Sequence, residues 1–310
     1  MSAVAPGRAR GVATVGDALA AATDALAAVG VPGPRLDAEV LLAEASGRER
    51  ASLIADPGAV LAPAESRRYG EFVRRRLRRE PVAYIVGHKG FRRIDLAVDR
   101  RVLVPRPETE LLVEVALERR PRRVLDVGTG SGAIALAIAD ELPEAEIVAT
   151  DTSAGALEVA RANAARLGLA DRVRFEQGTL PAAMRGRPLA RTAGQRTTAP
   201  AEFDLVLANL PYVAERDWAG LAPEVTHWEP REALLAGPDG LDAYRALLIP
   251  ECVRTSDRYP TITANAQAVA VEIGQGQAAE VAELVRGAGF PRVEVREDLA
   301  GTPRVVVGER

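Results

Sequence analysis

Residues 124–132, Val-Leu-Asp-Val-Gly-Thr-Gly-Ser-Gly, run an apolar stretch straight into a loop with glycine at every second position. A buried strand that enters such a loop and leaves as a helix restricts the fold sharply. Glycine lets the backbone turn tightly and come close to a ligand, with N–H groups exposed at the start of the helix. From about residue 121 the chain keeps that rhythm. Strands are predicted over 123–127, 146–150, 173–176, 203–208 and 268–273. Helices run through Ile134 and Ile138, Leu157 and Ala160, then 242–248 and 277–287. Regular alternation of this kind implies a doubly wound, mostly parallel α/β sheet. Two final strands, 292–296 and 304–308, follow each other through a short turn and are expected to pair antiparallel at an edge.

The N-terminal part reads differently. Val15, Leu19, Ala22, Leu26 and Val29 recur at helical spacing before Gly30, and a second helix runs through Leu36, Val40 and Leu41 to Gly47. A third, from about Pro63, carries Phe72, Val73 and Leu77 and stops before Pro81. Residues 1–85 are therefore expected to form a small helical domain that recognises the substrate. Residues 91–104 alternate polar and apolar side chains as a half-buried hairpin would, within a connector over 86–110. Residues 111–310 complete the α/β domain. The stretch 185–201 holds almost no large apolar side chains and reads as a surface loop. Seven arginines (67, 68, 74, 75, 76, 78 and 79) crowd the third helix and read as a solvated face, with contact to an acidic partner surface as the alternative.

Composition narrows the function. The 310 residues carry 40 Lys and Arg against 43 Asp and Glu, net −3, so no global basic field draws the protein to nucleic acid. A lone cysteine, Cys252, allows no internal disulfide and fits a reducing compartment. No apolar run reaches the ~18 residues of a membrane span, and residues 1–10 lack the apolar core of a signal peptide. These features point to the cytoplasm. His88 and His227 have no partners at ligand spacing, so no metal is expected.

Two groups of residues carry chemistry. Asp126 precedes the glycine loop, where it could face a ligand amino group, and Asp151 ends the next strand, where a carboxylate can accept both ribose hydroxyls. No basic cluster awaits a pyrophosphate. S-adenosylmethionine, cationic at sulfur and free of phosphate, suits an acid-rich site better than a dinucleotide. Asn209-Leu210-Pro211-Tyr212 follows the strand at 203–208, at the carboxyl ends of the strands near the switch point, where open α/β folds bind ligands. An amide nitrogen is a poor nucleophile. Its methylation needs acceptors for both N–H bonds, and the Asn209 side-chain oxygen with the Leu210 carbonyl could supply them. Pro211 biases Leu210 toward extended backbone, and the Tyr212 ring could cover a flat amide or base.

Asp-Val-Gly-Thr-Gly-Ser-Gly-Ala-Ile-Ala (126–135), Arg-Pro-Glu-Thr-Glu (106–110) and the Asn-x-Pro-Tyr box resemble the release factor glutamine methyltransferases of the HemK family. The likeness extends to 81–87, 229–241, Glu272-Ile-Gly and 298–306, and so covers nearly the whole chain. It implies a class I methyltransferase sheet that moves a methyl group from S-adenosylmethionine to the glutamine N5 of the Gly-Gly-Gln motif in peptide chain release factors 1 and 2. It also implies roles. Gly128, Thr129, Gly130, Ser131 and Gly132 would contact the methionine part and Asp151 the ribose. Asn209 would touch cofactor and substrate together. Pro107, Glu108 and Thr109 would line the pocket from the connector. Thr179 and Leu180 would border the cofactor, with Thr179 standing where the family usually has an aspartate near the adenine. Leu210 replaces the family's usual first proline. The resulting Asn-Leu-Pro-Tyr also resembles the box of rRNA adenine dimethyltransferases, so an adenine-N6 methyltransferase is the alternative.

Overall fold

The computed structural model describes residues 13–178, 203–248 and 266–310. Thr179, Leu180, the stretch 185–201, Cys252 and all but the last residue of 251–266 lie outside the described residues. The chain divides into two compact units, Met1–Gly87 with Pro223–Trp228, and His88–Ala222 with Glu229–Arg310.

The first unit is helical. Helices α1 (Val15–Ala28), α2 (Pro34–Ser46), α3 (Arg50–Ala55), α4 (Pro63–Leu77) and α5 (Val82–Val86) bury Leu19, Leu26, Leu41, Leu42, Leu53 and Phe72 in one core. Thr14 caps α1 by accepting from the Asp17 N–H. The arginines of α4 and the turn after it are not one solvated face. Arg76 is buried, donating to Asp37 at 2.7 Å and pairing with Glu224 at 2.8 Å. Arg79 forks onto both Glu224 oxygens at 2.7 Å, and Arg75 onto Glu80. Arg67, Arg68, Arg74 and Arg78 are exposed. Acids that helical periodicity cannot show, two of them distant in sequence, draw the other three arginines inward. Glu224 comes from the short helix α9 (Pro223–Trp228), whose Trp228 indole donates to the Arg78 carbonyl.

The second unit opens on a hairpin, β1 (His88–Phe91) with β2 (Ile94–Ala97), paired antiparallel. The hairpin expected over 91–104 is thus shorter and earlier, and 98–104 forms no strand. The turn falls at Arg92, whose φ is 48°. The Arg92 N–H donates to Glu110 and its guanidinium to Glu141, which fix that turn from outside the hairpin. Strands β3 (Arg123–Val127), β4 (Glu146–Asp151), β5 (Val173–Gln177), β6 (Phe203–Ala208), β7 (Ala266–Glu272), β8 (Arg292–Glu297) and β9 (Pro303–Glu309) form a sheet in the order 5-4-3-6-7-9-8. The first five pair in parallel, while β9 runs antiparallel between β7 and the edge strand β8. This is the expected architecture, including the antiparallel edge. Helices α6 (Glu110–Arg119), α7 (Ala133–Glu141), α8 (Ala154–Arg166), α10 (Asp242–Leu248) and α11 (Ala278–Gly287) flank the sheet. Its two faces bury separate apolar clusters, one containing Leu112, Leu136 and Ile138, the other Val206, Tyr244 and Val269.

Candidate active site

Strand order and register assemble the site before any side chain is considered. The chain leaves β3 for β4 and β5 on one side, then returns to lay β6 on the other, so β3 and β6 meet at the switch point. Val127 is the register partner of both Thr150 and Ala208. The residues that follow these three, Gly128, Asp151 and Asn209, therefore leave the sheet at one level.

Gly128, Gly130 and Gly132 have φ of 73°, 56° and 86°, a left-handed backbone that side chains disfavour. The Gly128 and Thr129 N–H groups both donate to the Thr150 carbonyl, and Gly130 N–H donates to Asp151 Oδ2 at 2.9 Å. Asp151 Oδ1 accepts from the Ser153 N–H. Burial raises the Asp151 pKa above the ordinary carboxylate value, against these stabilising N–H bonds. Asn163, fully buried on α8, holds the loop from behind. Its amide bonds the Ser131 carbonyl and both backbone groups of Ala97.

Asp126 does not face a ligand. Side chains alternate along a strand, so Asp126 shares the face of Val124, beneath α7. It is fully buried, and its Oδ2 accepts from Thr129 Oγ1 at 2.6 Å and from the Ala135 N–H at 3.3 Å. The N-cap of α7 is Gly132, which has no side chain, so Asp126 supplies the helix start with its acceptor from a neighbouring strand. Its Oδ1 has no hydrogen-bond partner, and burial pushes its pKa up to about 7.

A cavity of about 1080 Å³ opens over these strand ends. Its wall includes Gly128, Thr129, Gly130, Ser131, Asp151, Asn209, Leu210, Pro211 and Thr109, all expected from sequence. Gly132, Pro107, Glu108 and Tyr212 do not line it: Gly132 is the helix cap, and Tyr212 turns toward β7. The wall also holds Arg106 and Glu232, which lie in the resembling segments 106–110 and 229–241, and Arg101, Asp242 and Arg245, which no motif singles out. Each arginine is already neutralised. Arg101 pairs with Asp99 and Glu158, Arg106 with the buried Glu229, and Arg245 with Asp239 and Asp242. Among the described residues the wall therefore offers no uncommitted cation for a pyrophosphate. A glycine loop with Asp151 beside it fits a phosphate-free nucleoside carrying an amino acid.

Leu210 is buried, and a Cβ placed on Gly128 would lie 3.3 Å from its Cδ2. The box thus packs directly on the glycine loop through the residue that replaces the usual proline. Behind the box runs a buried polar chain. The Asn209 amide nitrogen donates to Thr109 Oγ1 at 3.0 Å, and Thr109 Oγ1 donates to Glu272 Oε2 at 2.6 Å. The Tyr212 hydroxyl is a looser donor to Glu272 Oε1 at 3.5 Å, and the Tyr244 hydroxyl donates to the Glu272 carbonyl at 2.7 Å. Gln277 donates to the Tyr212 carbonyl at 3.0 Å, which fixes the backbone just past the box. Glu272 is 2% exposed and burial pushes it up to about 7; burial likewise raises Tyr212 to about 12, with Glu272 adding to it. The Glu-Ile-Gly at the end of β7 is visible in the sequence, but nothing there ties Glu272 to Asn209.

Comparison with known proteins agrees with this geometry. A family model described as the PrmC N-terminal domain matches residues 17–87, and one described as a methyltransferase domain matches 119–231. The release factor glutamine methyltransferase of Caulobacter vibrioides is 39% identical over 299 residues, 95% of this chain and 96% of that protein. That of Moorella thermoacetica is 41% identical over 302 residues, 96% and 99% of the two chains. The chain belongs to the release factor glutamine methyltransferase family. It is an S-adenosylmethionine-dependent methyltransferase. Among the described residues of this family member, no helix is long and apolar enough to cross a membrane and no cluster of metal-ligating side chains occurs.

Proposed function

We propose that the enzyme methylates the N5 side-chain nitrogen of the glutamine in the Gly-Gly-Gln motif of peptide chain release factors 1 and 2, in the cytoplasm. The observation that carries this reading is the position of Asn209-Leu210-Pro211 in the same cavity wall as the glycine loop and Asp151. In this reading Gly128 to Ser131 hold the methionine part of the donor and Asp151 its ribose. Thr179 and Leu180 border its base. The Asn209 side-chain oxygen and the Leu210 carbonyl accept the two N–H bonds of the substrate amide and aim its nitrogen. Pro211 holds Leu210 extended, and Tyr212, together with Pro107 and Glu108, supports the box from outside the wall. Residues 1–85 recognise the release factor, 86–110 connect and 111–310 catalyse.

The bound donor supplies an electrophilic methyl group on a cationic sulfur. As the substrate nitrogen takes that methyl, positive charge develops on it, and the two acceptors strengthen their hold on its N–H bonds. One proton then passes from the nitrogen to water, so no general base is required. The test is tritiated S-adenosylmethionine with purified release factor, its Gln-to-Ala version and rRNA. Label is expected on the unaltered release factor alone, and Asn209→Ala should lower that rate about 100-fold, as for loss of one transition-state hydrogen-bond partner. Label on rRNA but not on release factor would replace this reading with the adenine one.

A further inference from the structure

We infer that Thr109 and Glu272 are positioning residues that fix which way the Asn209 amide faces, and that they thereby set the enzyme's preference for an amide substrate over a carboxylate. The inference rests on the proposed substrate and concerns how the box is tuned to it.

Proton counting decides the orientation. A threonine hydroxyl has one proton to give. An ionised carboxylate only accepts, so at 2.6 Å the Thr109 hydroxyl must spend its proton on Glu272. Only lone pairs remain on Thr109 Oγ1 for Asn209, 3.0 Å away. The asparagine must therefore turn its NH2 toward Thr109, which leaves its oxygen directed elsewhere. This fixes the amide by chemistry, independent of the near-identity of its two ends. The Asn209 oxygen becomes an acceptor in the cavity wall. That suits an amide N–H and repels a carboxylate oxygen. The relay is sheltered: Thr109 is 4% and Glu272 2% exposed, so water cannot readily substitute for a missing link.

Reversal of the chain has a defined trigger. Protonated Glu272 can donate to Thr109, which frees the threonine proton for the Asn209 oxygen and allows the amide to turn over. Around Glu272 stand Thr109 and Glu108 from the 3-10 turn Pro107–Thr109, Tyr212 after β6, Tyr244 on α10 and Arg304 on β9. Burial and Glu108 raise the carboxyl, while Thr109, Arg304 and Tyr212 lower it, and it stands at about 7. Ionised Glu272 therefore holds the chain in the polarity that suits an amide substrate, and its protonation as pH falls leaves the chain free to reverse.

The test compares wild type with Thr109→Val, Thr109→Ser and Glu272→Gln. Three quantities are read: kcat on purified release factor, inhibition by release factor carrying Glu in place of the motif's Gln, and S-adenosylmethionine binding by calorimetry. Thr109→Val keeps the shape and removes the relay. It should lower kcat about 10- to 100-fold, the range for one mispaired buried polar group. It should also make the Glu-bearing release factor bind about tenfold better relative to the Gln-bearing one, with donor affinity changed by less than that preference. Thr109→Ser restores the relay and should restore both kcat and the preference. Glu272→Gln, which can donate or accept, should weaken the preference and flatten the rise of kcat with pH near 7. If Thr109→Val retains wild-type kcat, or loses kcat with the Gln-to-Glu preference intact, the inference is wrong and the residues are merely structural. It is equally wrong if Thr109→Val does not fold and Glu272→Gln keeps the wild-type preference and pH profile. A wild-type enzyme inactive on release factor would instead overturn the proposed substrate, and the inference with it.

Discussion

Alanine at each of the three loop glycines should separate fold from cofactor binding, because the three sites share a backbone cost and differ in what a methyl group would meet. All three φ values are positive, so each substitution carries about 1–2 kcal/mol of left-handed strain. At Gly130 the added Cβ meets nothing within 4 Å, and the strain is the whole cost. At Gly128 it comes 3.3 Å from Leu210 Cδ2 and 3.6 Å from the Asn209 carbonyl, tight but short of overlap. At Gly132 it lies 2.8 Å from Cδ1 of the fully buried Leu136. Overpacking adds roughly 1–3 kcal/mol there. Urea unfolding without cofactor should rank the losses Gly132→Ala first, then Gly128→Ala, then Gly130→Ala. Calorimetry with S-adenosylmethionine should give a different order. Gly130 lines the cavity and its missing Cβ faces open space, so Gly130→Ala should weaken the donor most, by about tenfold or 1.4 kcal/mol. Should Gly130→Ala cost as much stability as Gly132→Ala, or bind the donor like wild type, this account of the loop fails.

Asp126 makes stability pH-dependent. Its folded pKa is raised to about 7 from 3.8, so between those values the folded protein holds a proton that the unfolded chain has lost. Its contribution is thus most favourable at low pH and falls as pH climbs through that window. Relative to Asp126→Asn, wild type should lose up to about 3 kcal/mol of unfolding free energy between about pH 4 and 7; parallel curves for the two proteins would refute the shift. Asn163→Leu strands three backbone groups, a buried carbonyl at Ser131 and two part-buried groups at Ala97. At about 1–3 kcal/mol for the buried group and less for the two part-buried ones, it should destabilise by about 2–3 kcal/mol in denaturant titration and weaken the donor. Loss of less than about 1 kcal/mol would mean that Asn163 does not brace the loop.

What the sequence reveals is local. The run into Gly128 and the apolar strand ending at Ala208 identify themselves by composition, and parallel register then brings Gly128, Asp151 and Asn209 to one edge. Asp126 misleads because its role depends on the strand's alternation and on the N-terminus of α7, which together turn it inward. Residues 98–104 alternate like a strand but have no partner strand. Glu272 and Thr109 lie 163 residues apart, and the proton relay between them has no periodicity to announce it. Arg76 and Arg79 look like solvated charge because their shared acid, Glu224, lies far along the chain.

That distant acid has a consequence for how the molecule can be taken apart. The chain leaves the α/β unit soon after the box, spends Pro223–Trp228 with the helices, and returns at Glu229. The helical unit is consequently not a cassette. A fragment ending at Gly87 would lack the carboxylate that Arg76 and Arg79 share, and one starting at His88 would carry a stray helix whose acid has lost both arginines and whose indole has lost the Arg78 carbonyl. Recombination between relatives could exchange residues 1–87 cleanly only if the six-residue insert travelled too. Breakpoints on either side of residues 88–222 must therefore be inherited together.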